Sequence, residues 1–202
     1  MNSLEKRIID LSYKHKLSHI GSCLSTVNFL KHTYETKEKD ATVVLANAHA
    51  GVALYVVLEE LGLCDAEEMI KKHGIHSTRD TEHGIEVSGG SLGQAETLAV
   101  GLALGDRTKP VYLITSDGAC AEGSIWEALR IAGELKLENL RVAVIANGYG
   151  AYRDINVEDL DIRLNLFFPT LVVKTNLFQY PEWLQGLKGH YSVMTEEMYK
   201  EL

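Results

Sequence analysis

The chain has 202 residues, of which 46% are hydrophobic, and this length and composition predict one domain with a substantial core over residues 1–202. A formal net charge of −8 and a pI near 5.5 exclude a general basic surface for nucleic acid or anionic membranes. Because the sequence has no apolar run of membrane-spanning length and its start lacks the apolar core of a signal peptide, we expect cytoplasmic residence.

Helical and extended patterns alternate along the chain. In chain order they predict helix 3–16, helix 25–35, strand 42–45, helix 49–61, helix 66–72, a loop over 74–90, helix 92–104, strand 111–114, helix 122–136 and strand 141–146. Ser25 or Thr26 is the expected cap of the second helix. This alternation predicts an α/β domain with three layers (α/β/α) around a mainly parallel sheet.

Polar residues follow two neighbouring strands of the predicted sheet. The strand that begins at Val111 ends just before Asp117, and the next strand ends just before Asn147. A strand–helix–strand crossover sets the two strands parallel, and ligands of open α/β folds collect at the carboxyl edge that they share. We therefore expect Asp117 and Asn147 to be near neighbours.

The same residues predict a site for Mg²⁺ and a phosphate group. Mg²⁺ prefers an octahedron of oxygen ligands, usually one or two carboxylates together with phosphate oxygens. The Asp117 carboxylate, the Asn147 amide oxygen and the Tyr149 backbone carbonyl are the expected ligands. Gly118 lets the chain approach a phosphate closely and turn into a helix, whose N-terminus favours negative charge. The alternative is an ordinary turn that carries an Asp-Gly pair.

An ordered set of motifs resembles the transketolase family. The segment from Ser116 to Ala128, SDGACAEGSIWEA, followed by Ala146-Asn147-Gly148, is similar to the thiamine diphosphate motif of transketolases. Four further motifs follow the family's order upstream: Ser18-His19-Ile20-Gly21, Ala48-His49-Ala50, Gly74-Ile75-His76 and residues 87–94. The resemblance covers most of residues 5–150. It implies a thiamine-diphosphate-binding (PP-type) fold with thiamine diphosphate and Mg²⁺ as cofactors.

The resemblance implies roles for individual histidines. His49 matches the histidine that contacts the cofactor diphosphate, and His190 echoes a tail histidine that approaches it. His19 and His76 match the pair that faces the sugar hydroxyls, and we expect them to be catalytic together with Glu122. From the residues alone, a capping or core role is favoured for His49, whereas His19 is equally open to the role of a solvated loop histidine.

Glycines and glutamates complete the expected site. In the family, the stretch with Gly90 and Leu92 lies near the cofactor, as does Gly118. The alternative for Gly90 and Leu92 is a glycine-rich segment that leads into a helix. Glu122 and Glu127 match glutamates that lie at the dimer interface and link paired active sites, whereas Glu122 alone is also explained by the dipole of its helix. We therefore expect an oligomer.

The implied function is that of a short, separately encoded subunit. It corresponds to the N-terminal half of a transketolase, which transfers a two-carbon ketol unit between sugars or sugar phosphates. The glutamate that activates the cofactor and the groups that hold its pyrimidine lie on the family's other half, so we expect a second subunit with the pyrimidine-binding and C-terminal domains, in an α2β2 assembly. The segment 155–202 is shorter than in the family. Two alternatives remain: a component of another thiamine enzyme, such as a 2-oxo acid dehydrogenase or decarboxylase, and a noncatalytic pseudoenzyme.

Overall fold

A computed structural model describes residues 1–150 and 153–202 of the chain. Its elements, in chain order, are α1 (Ser3–His15), α2 (Ile20–Thr36), β1 (Thr42–Leu45), α3 (Gly51–Glu60), α4 (Ala66–His73), α5 (Gln94–Gly105), β2 (Val111–Ser116), α6 (Gly123–Glu134), β3 (Leu140–Ala146), α7 (Val157–Phe167), β4 (Thr170–Lys174), α8 (Gly186–Tyr191) and α9 (Glu196–Lys200). Single 3-10 turns lie at Ala48–Ala50, Thr81–His83, Gly118–Ala121 and Glu182–Leu184.

Two compact units share the chain. The helical unit comprises Met1–Thr36, Ala48–Ser77 and Asn176–Leu202, and the sheet unit comprises Lys37–Asn47 and Thr78–Thr175. The prediction of one functional domain over residues 1–202 remains a prediction. Among the described residues, no helix has both the length and the apolar character that crossing a membrane requires.

The helical unit is built around α3. Every residue of α3 from Gly51 to Leu58 is buried, as is typical of a helix that is apolar all round. The helices α1, α2 and α4 pack against it. The Asn2 side chain caps α1 by accepting the Glu5 N–H, and the Glu5 carboxylate accepts the Asn2 N–H in return, which satisfies two N–H groups that the first turn leaves free.

The second helix begins earlier than predicted. It starts at Ile20, directly after His19, and both Ser25 and Thr26 lie inside it with buried side chains. The prediction that either residue caps the helix was therefore wrong. Serine and threonine also occupy helix interiors, where their hydroxyls bond to a carbonyl one turn earlier, as Thr33 does with the Phe29 carbonyl in this helix.

The sheet unit contains four parallel strands in the order β1-β2-β3-β4. Alternate strand residues, among them Val44, Leu113 and Val144, lie in one apolar cluster with Ala95 and Ala99 of α5. The small side chains of α5 allow the helix to pack against β1, β2 and β3. These observations confirm the predicted α/β class and the parallel sheet.

The segment after β3 contains elements that the sequence patterns did not predict. Residues 157–167 form α7, and residues 170–174 form β4, which pairs with β3. The Asn156 side chain caps α7 by accepting the Asp159 N–H. The predicted shortening of 155–202 relative to the family remains untested.

Two helix glycines of the sheet unit should respond oppositely to the same substitution. A Cβ atom at Gly133 would lie 2.5 Å from the Phe167 carbonyl oxygen, whereas a Cβ atom at Gly101 would meet open space. Gly101→Ala should raise the free energy of unfolding by about 0.5–1 kcal/mol through helix propensity. Gly133→Ala should lower it by about 1–3 kcal/mol through overpacking. Denaturant unfolding of the purified chain measures both values, and equal stability of the two variants would contradict the close approach of α6 and α7.

Candidate cofactor site

The Asp117 carboxylate joins the ends of β2 and β3. Its Oδ2 atom accepts the backbone N–H groups of Asn147 at 2.9 Å and Gly148 at 2.8 Å, and its Oδ1 atom accepts the Gly118 N–H at 3.0 Å. The strand register brings the two tips together by pairing Ser116 with Ile145. The structure thus places Asp117 beside Asn147, as the parallel pairing predicts.

Burial dominates the electrostatics of this carboxylate. Asp117 is only 2% exposed, and burial raises the pKa of its carboxyl to about 6, although the three backbone N–H bonds act in the opposite direction. Desolvation disfavours the charged form, and a bound cation restores it. The electrostatics of Asp117 therefore suit the binding of a cation.

The predicted metal ligands provide hard oxygen atoms. The Asn147 Oδ1 atom accepts the Tyr149 N–H at 2.9 Å. The bridge that pairs Tyr149 with Asp154 uses the Gly148 carbonyl and the Gly150 N–H; it does not use the Tyr149 carbonyl. Carboxylate and carbonyl oxygens have more than one lone pair, so these three groups fit Mg²⁺.

The protein ligands alone do not surround an ion. Within residues 1–150 and 153–202, no group of three His, Cys, Asp or Glu side chains is arranged to hold a metal. Mg²⁺ usually keeps waters and takes phosphate oxygens from a substrate or cofactor. The donor set at Asp117 therefore fits a metal that arrives together with a phosphate group.

A glycine loop approaches the start of α6. Gly90 and Gly93 have positive φ angles of 111° and 81°, which only glycine adopts readily. A Cβ atom at Gly93 would lie 2.2 Å from Ser124 Oγ, and the Ser124 hydroxyl donates a hydrogen bond to the Gly93 carbonyl. Leu92 is half-buried between the two glycines. The loop that carries the predicted residues Gly90 and Leu92 is thus fixed to α6.

The two predicted interface glutamates differ in exposure. Glu122 is half-buried and stands at the N-cap of α6, where its side chain makes no capping hydrogen bond. Glu127 is exposed. The exposed residues Leu98 and Leu102 lie on α5, which packs against α6.

The helical unit brings all four predicted histidines together. The His19 ring lies 5.7 Å from that of His49, 5.8 Å from that of His76 and 4.2 Å from that of His190, between centroids. The rings of His49 and His190 are 5.4 Å apart. His19 is half-buried, which excludes the interpretation of it as a fully solvated loop residue.

Three of the clustered imidazoles, those of His19, His49 and His190, are neutral at physiological pH. Burial, with smaller contributions from neighbouring histidines, lowers the pKa of His49 to about 3 and that of His19 to about 4. The same causes lower the pKa of His190. A neutral imidazole has one donor and one acceptor nitrogen, so the cluster can both donate hydrogen bonds to ligand oxygens and accept them from hydroxyls.

Two serines to which the sequence analysis assigned no role contact this cluster. Ser18 Oγ lies 2.7 Å from His19 Nδ1, and Ser22 Oγ lies 3.3 Å from His190 Nδ1. The His19 N–H also donates to the His190 carbonyl at 2.9 Å. No spacing rule could have identified the contact of Ser22 with His190, because these two residues lie far apart in sequence.

A buried carboxyl group in the sheet unit was also missed. Glu96 on α5 is 1% exposed, and its Oε1 atom accepts a hydrogen bond from Thr115 at 2.6 Å. Burial raises the pKa of this carboxyl. A signal was present in the sequence, since Glu96 shares the helix face of the buried residues Val100 and Ala103 and a charge on such a face is rare.

The parallel sheet, with a buried carboxylate at its strand tips, defines an α/β protein with a candidate site for a cation and a phosphate group. A sequence model of the family described as "Transketolase, thiamine diphosphate binding domain" matches residues 26–151. The chain belongs to this family.

Relatives and solved structures agree with this assignment. The chain is 34% identical over 160 residues to an apulose-4-phosphate transketolase subunit of Phocaeicola vulgatus, covering 69% of this chain and 56% of that one. It is 31% identical to a 6-deoxy-6-sulfo-D-fructose transketolase subunit of a Clostridium species, covering 69% and 58%. The alignments thus span little more than half the length of these relatives.

The fold is that of solved transketolases. The transketolase from Leishmania mexicana matches 100% of this chain and 41% of its own, with a TM-score of 0.76 and 21% identity. The Campylobacter jejuni transketolase matches 100% of this chain and 42% of its own, with a TM-score of 0.73 and 22% identity.

The histidine cluster predicts how stability depends on pH. The pKa of His49 is about 3 in the folded chain, compared with its ordinary value of 6.5. Between these two pH values, the unfolded chain binds a proton that the folded chain excludes. The free energy of unfolding therefore falls as the pH drops below 6.5, by up to about 1.4 kcal/mol per pH unit for one proton. Denaturant titrations measure the free energy of unfolding of wild type minus that of His49→Gln, and this difference should fall from about pH 7 to about pH 5.

The matched control for this experiment is His32→Gln, since His32 is an exposed histidine of α2. An equal fall in the free energy of unfolding of wild type minus that of His32→Gln would contradict the attribution to the cluster.

Proposed function

We propose that this chain is the thiamine-diphosphate-binding subunit of a split transketolase. In this role it moves a two-carbon ketol unit between sugars or sugar phosphates, together with a partner subunit that binds the cofactor's pyrimidine. The observation that carries the proposal is the buried Asp117 carboxylate at the joined tips of β2 and β3, in a chain that belongs to the transketolase thiamine diphosphate family.

The sheet unit provides the groups that would hold Mg²⁺ and the diphosphate. Asp117, Asn147 and the Tyr149 carbonyl supply oxygen ligands to the metal, which neutralises part of the diphosphate charge. Gly118 and the Gly90 loop let the backbone approach the cofactor, with Leu92 at its apolar part. When bound, thiamine diphosphate supplies the carbon centre that carries the two-carbon unit.

The helical unit provides neutral hydrogen-bonding groups. His49 and His190 are assigned to the diphosphate, and His19 and His76 to the hydroxyls of the donor and acceptor sugars. The low pKa values of His19 and His49 keep each ring able both to donate and to accept. A donated N–H suits the oxygens of hydroxyl groups and of phosphates, both of which accept hydrogen bonds.

A partner subunit completes the proposed enzyme. Two relatives are themselves named as subunits, which supports a partner chain for this one. We assign the contact between paired active sites to Glu122 and Glu127, because exposed apolar residues of α5 adjoin the helix that carries them and such patches mark interfaces. An α2β2 assembly in the cytoplasm follows from this proposal.

Removing one metal ligand should remove the stabilisation that the cofactor gives. Mg²⁺ with thiamine diphosphate at about 100 times Kd should raise the free energy of unfolding of the reconstituted complex by about 2.7 kcal/mol. Asp117→Ala and Asn147→Ala should each lose most of that gain. Asn147→Ala is the sharper variant, because Asp117 bonds to the backbone N–H of residue 147 rather than to its side chain.

Asp40→Ala removes an exposed carboxylate of the same unit and serves as the matched control, with the full cofactor effect expected. Thermal unfolding with and without Mg²⁺ and cofactor gives all the values. A full gain in both ligand variants would refute the metal assignment.

Ketol transfer should require both chains. The purified chain, its partner subunit, Mg²⁺ and thiamine diphosphate are incubated with a panel of ketose donors and aldose acceptors, and products are read by mass spectrometry. We expect a two-carbon gain by the acceptor in the complete mixture and none with either chain alone. Analytical ultracentrifugation of the same mixture reports the assembly.

Cofactor binding without transfer from any sugar would contradict the catalytic role and identify a noncatalytic member of the family. The groups that grip a sugar phosphate are expected on the partner. The donor that supports transfer in this assay therefore identifies the substrate.

A further inference from the structure

Two serine hydroxyls bond to the same ring position of two clustered histidines. Ser18 Oγ lies 2.7 Å from His19 Nδ1, and Ser22 Oγ lies 3.3 Å from His190 Nδ1. The two imidazole rings are 4.2 Å apart between centroids and meet edge to face. One pair of residues in the first part of the chain thus contacts the equivalent atom in both rings.

We propose that Ser18 and Ser22 are positioning residues that each donate a hydrogen bond to Nδ1 of a histidine and thereby keep the ring proton on Nε2. The consequence for sugar or diphosphate binding rests on the proposed function, whereas the position of the proton does not. Each ring then offers Nε2–H as a donor. Oxygens of a diphosphate accept hydrogen bonds only, so a proton on Nε2 suits them better than a proton on Nδ1.

The choice between ring nitrogens matters because these rings are neutral. Burial lowers the pKa of His19 to about 4 and also lowers that of His190. A neutral imidazole carries its proton on one nitrogen, and the hydrogen bond made by the other nitrogen decides which.

The hydroxyl of Ser18 is better used as a donor than as an acceptor. Among the described residues, His19 Nδ1 is the hydrogen-bond partner of Ser18 Oγ. If Nδ1 carried the proton and Ser18 accepted it, the serine hydroxyl would need a second acceptor for its own proton. A single donated bond satisfies both groups.

The backbone of His19 is fixed by hydrogen bonds, so the side-chain ring is the part of this residue that can turn. His19 has a φ of 64°, which is uncommon for a residue with a side chain. Its N–H donates to the His190 carbonyl at 2.9 Å, and its carbonyl accepts the Cys23 N–H at 3.1 Å. With the backbone held on both sides, the Ser18 bond determines how the ring is turned and protonated.

Nitrogen-15 NMR of histidine-labelled protein tests the proposal directly. Spectra of the full chain without cofactor or sugar should show a protonated Nε2 and a hydrogen-bonded, bare Nδ1 at His19, with resonances assigned from His19→Gln and His190→Gln. Ser18→Ala should move the His19 Nδ1 signal and mix the two tautomers, while Ser18→Thr, which keeps a hydroxyl, should retain the wild-type pattern. Ser22→Ala should change His190 less, because its contact is longer.

Ser25→Ala is the matched control. Ser25 lies on the same helix as Ser22, is buried, and among the described residues its Oγ has no hydrogen-bond partner. Its spectrum should equal that of the wild type. A protonated Nδ1 at His19 in the wild type, or an unchanged His19 signal in Ser18→Ala, would overturn the proposal.

Kinetics of the reconstituted pair then connects the proton to function. Loss of one hydrogen bond in Ser18→Ala should raise KM for the sugar about fivefold with little change in kcat, and Ser18→Thr should restore it. An unchanged KM with an altered His19 spectrum would overturn the role in positioning. The predicted spectra together with no transfer from any sugar would reject the proposed function and leave the tautomer assignment in place.

Discussion

One buried carboxylate holds the ends of two neighbouring strands together. Asp117 accepts three backbone N–H groups, two of them from the loop after β3. Charge burial is costly unless hydrogen bonds and opposite charge compensate it, and the raised pKa of Asp117 shows that the three bonds alone do not fully do so. The loop geometry at the sheet edge and the chemistry proposed there therefore depend on the same side chain.

The two units contribute different chemistry. The sheet unit concentrates oxygen ligands and close-approach glycines at the ends of its strands, which suits a metal and a diphosphate. The helical unit contributes neutral imidazoles whose pKa values are lowered by burial and by one another. Keeping these rings uncharged preserves their ability to accept hydrogen bonds, which a protonated imidazole loses.

The parts of this structure that could be predicted from sequence are those governed by local periodicity. The apolar runs before Asp117 and Asn147 fix two strands, and parallel pairing then brings the residues after them together. The histidines are different, because periodicity does not bring residues 19, 49, 76 and 190 together. Their grouping was expected only from the resemblance to transketolases. Neither kind of reasoning predicted the serine contacts, although Ser18 belongs to one of the motifs that carry the resemblance.

The errors in the predicted helices have physical causes as well. Ser25 and Thr26 suggested a helix start but lie within α2, because the helix begins after the left-handed His19 without a serine or threonine cap. The helix α7 buries only Leu160 and Leu164, while Ile162, Leu166 and Phe167 are exposed. Its apolar residues therefore surround the helix and hide the period that would have revealed it.

The hydrogen bond from the His19 N–H to the His190 carbonyl has a consequence for the order of assembly during translation. The ribosome releases α1 and α2 early, yet the acceptor for His19 emerges only with α8, after the whole sheet unit. Closing so long a loop costs conformational entropy before the contact returns any free energy. The histidine arrangement therefore cannot form before α8 has emerged, and a ribosome that stalls before α8 leaves it unformed.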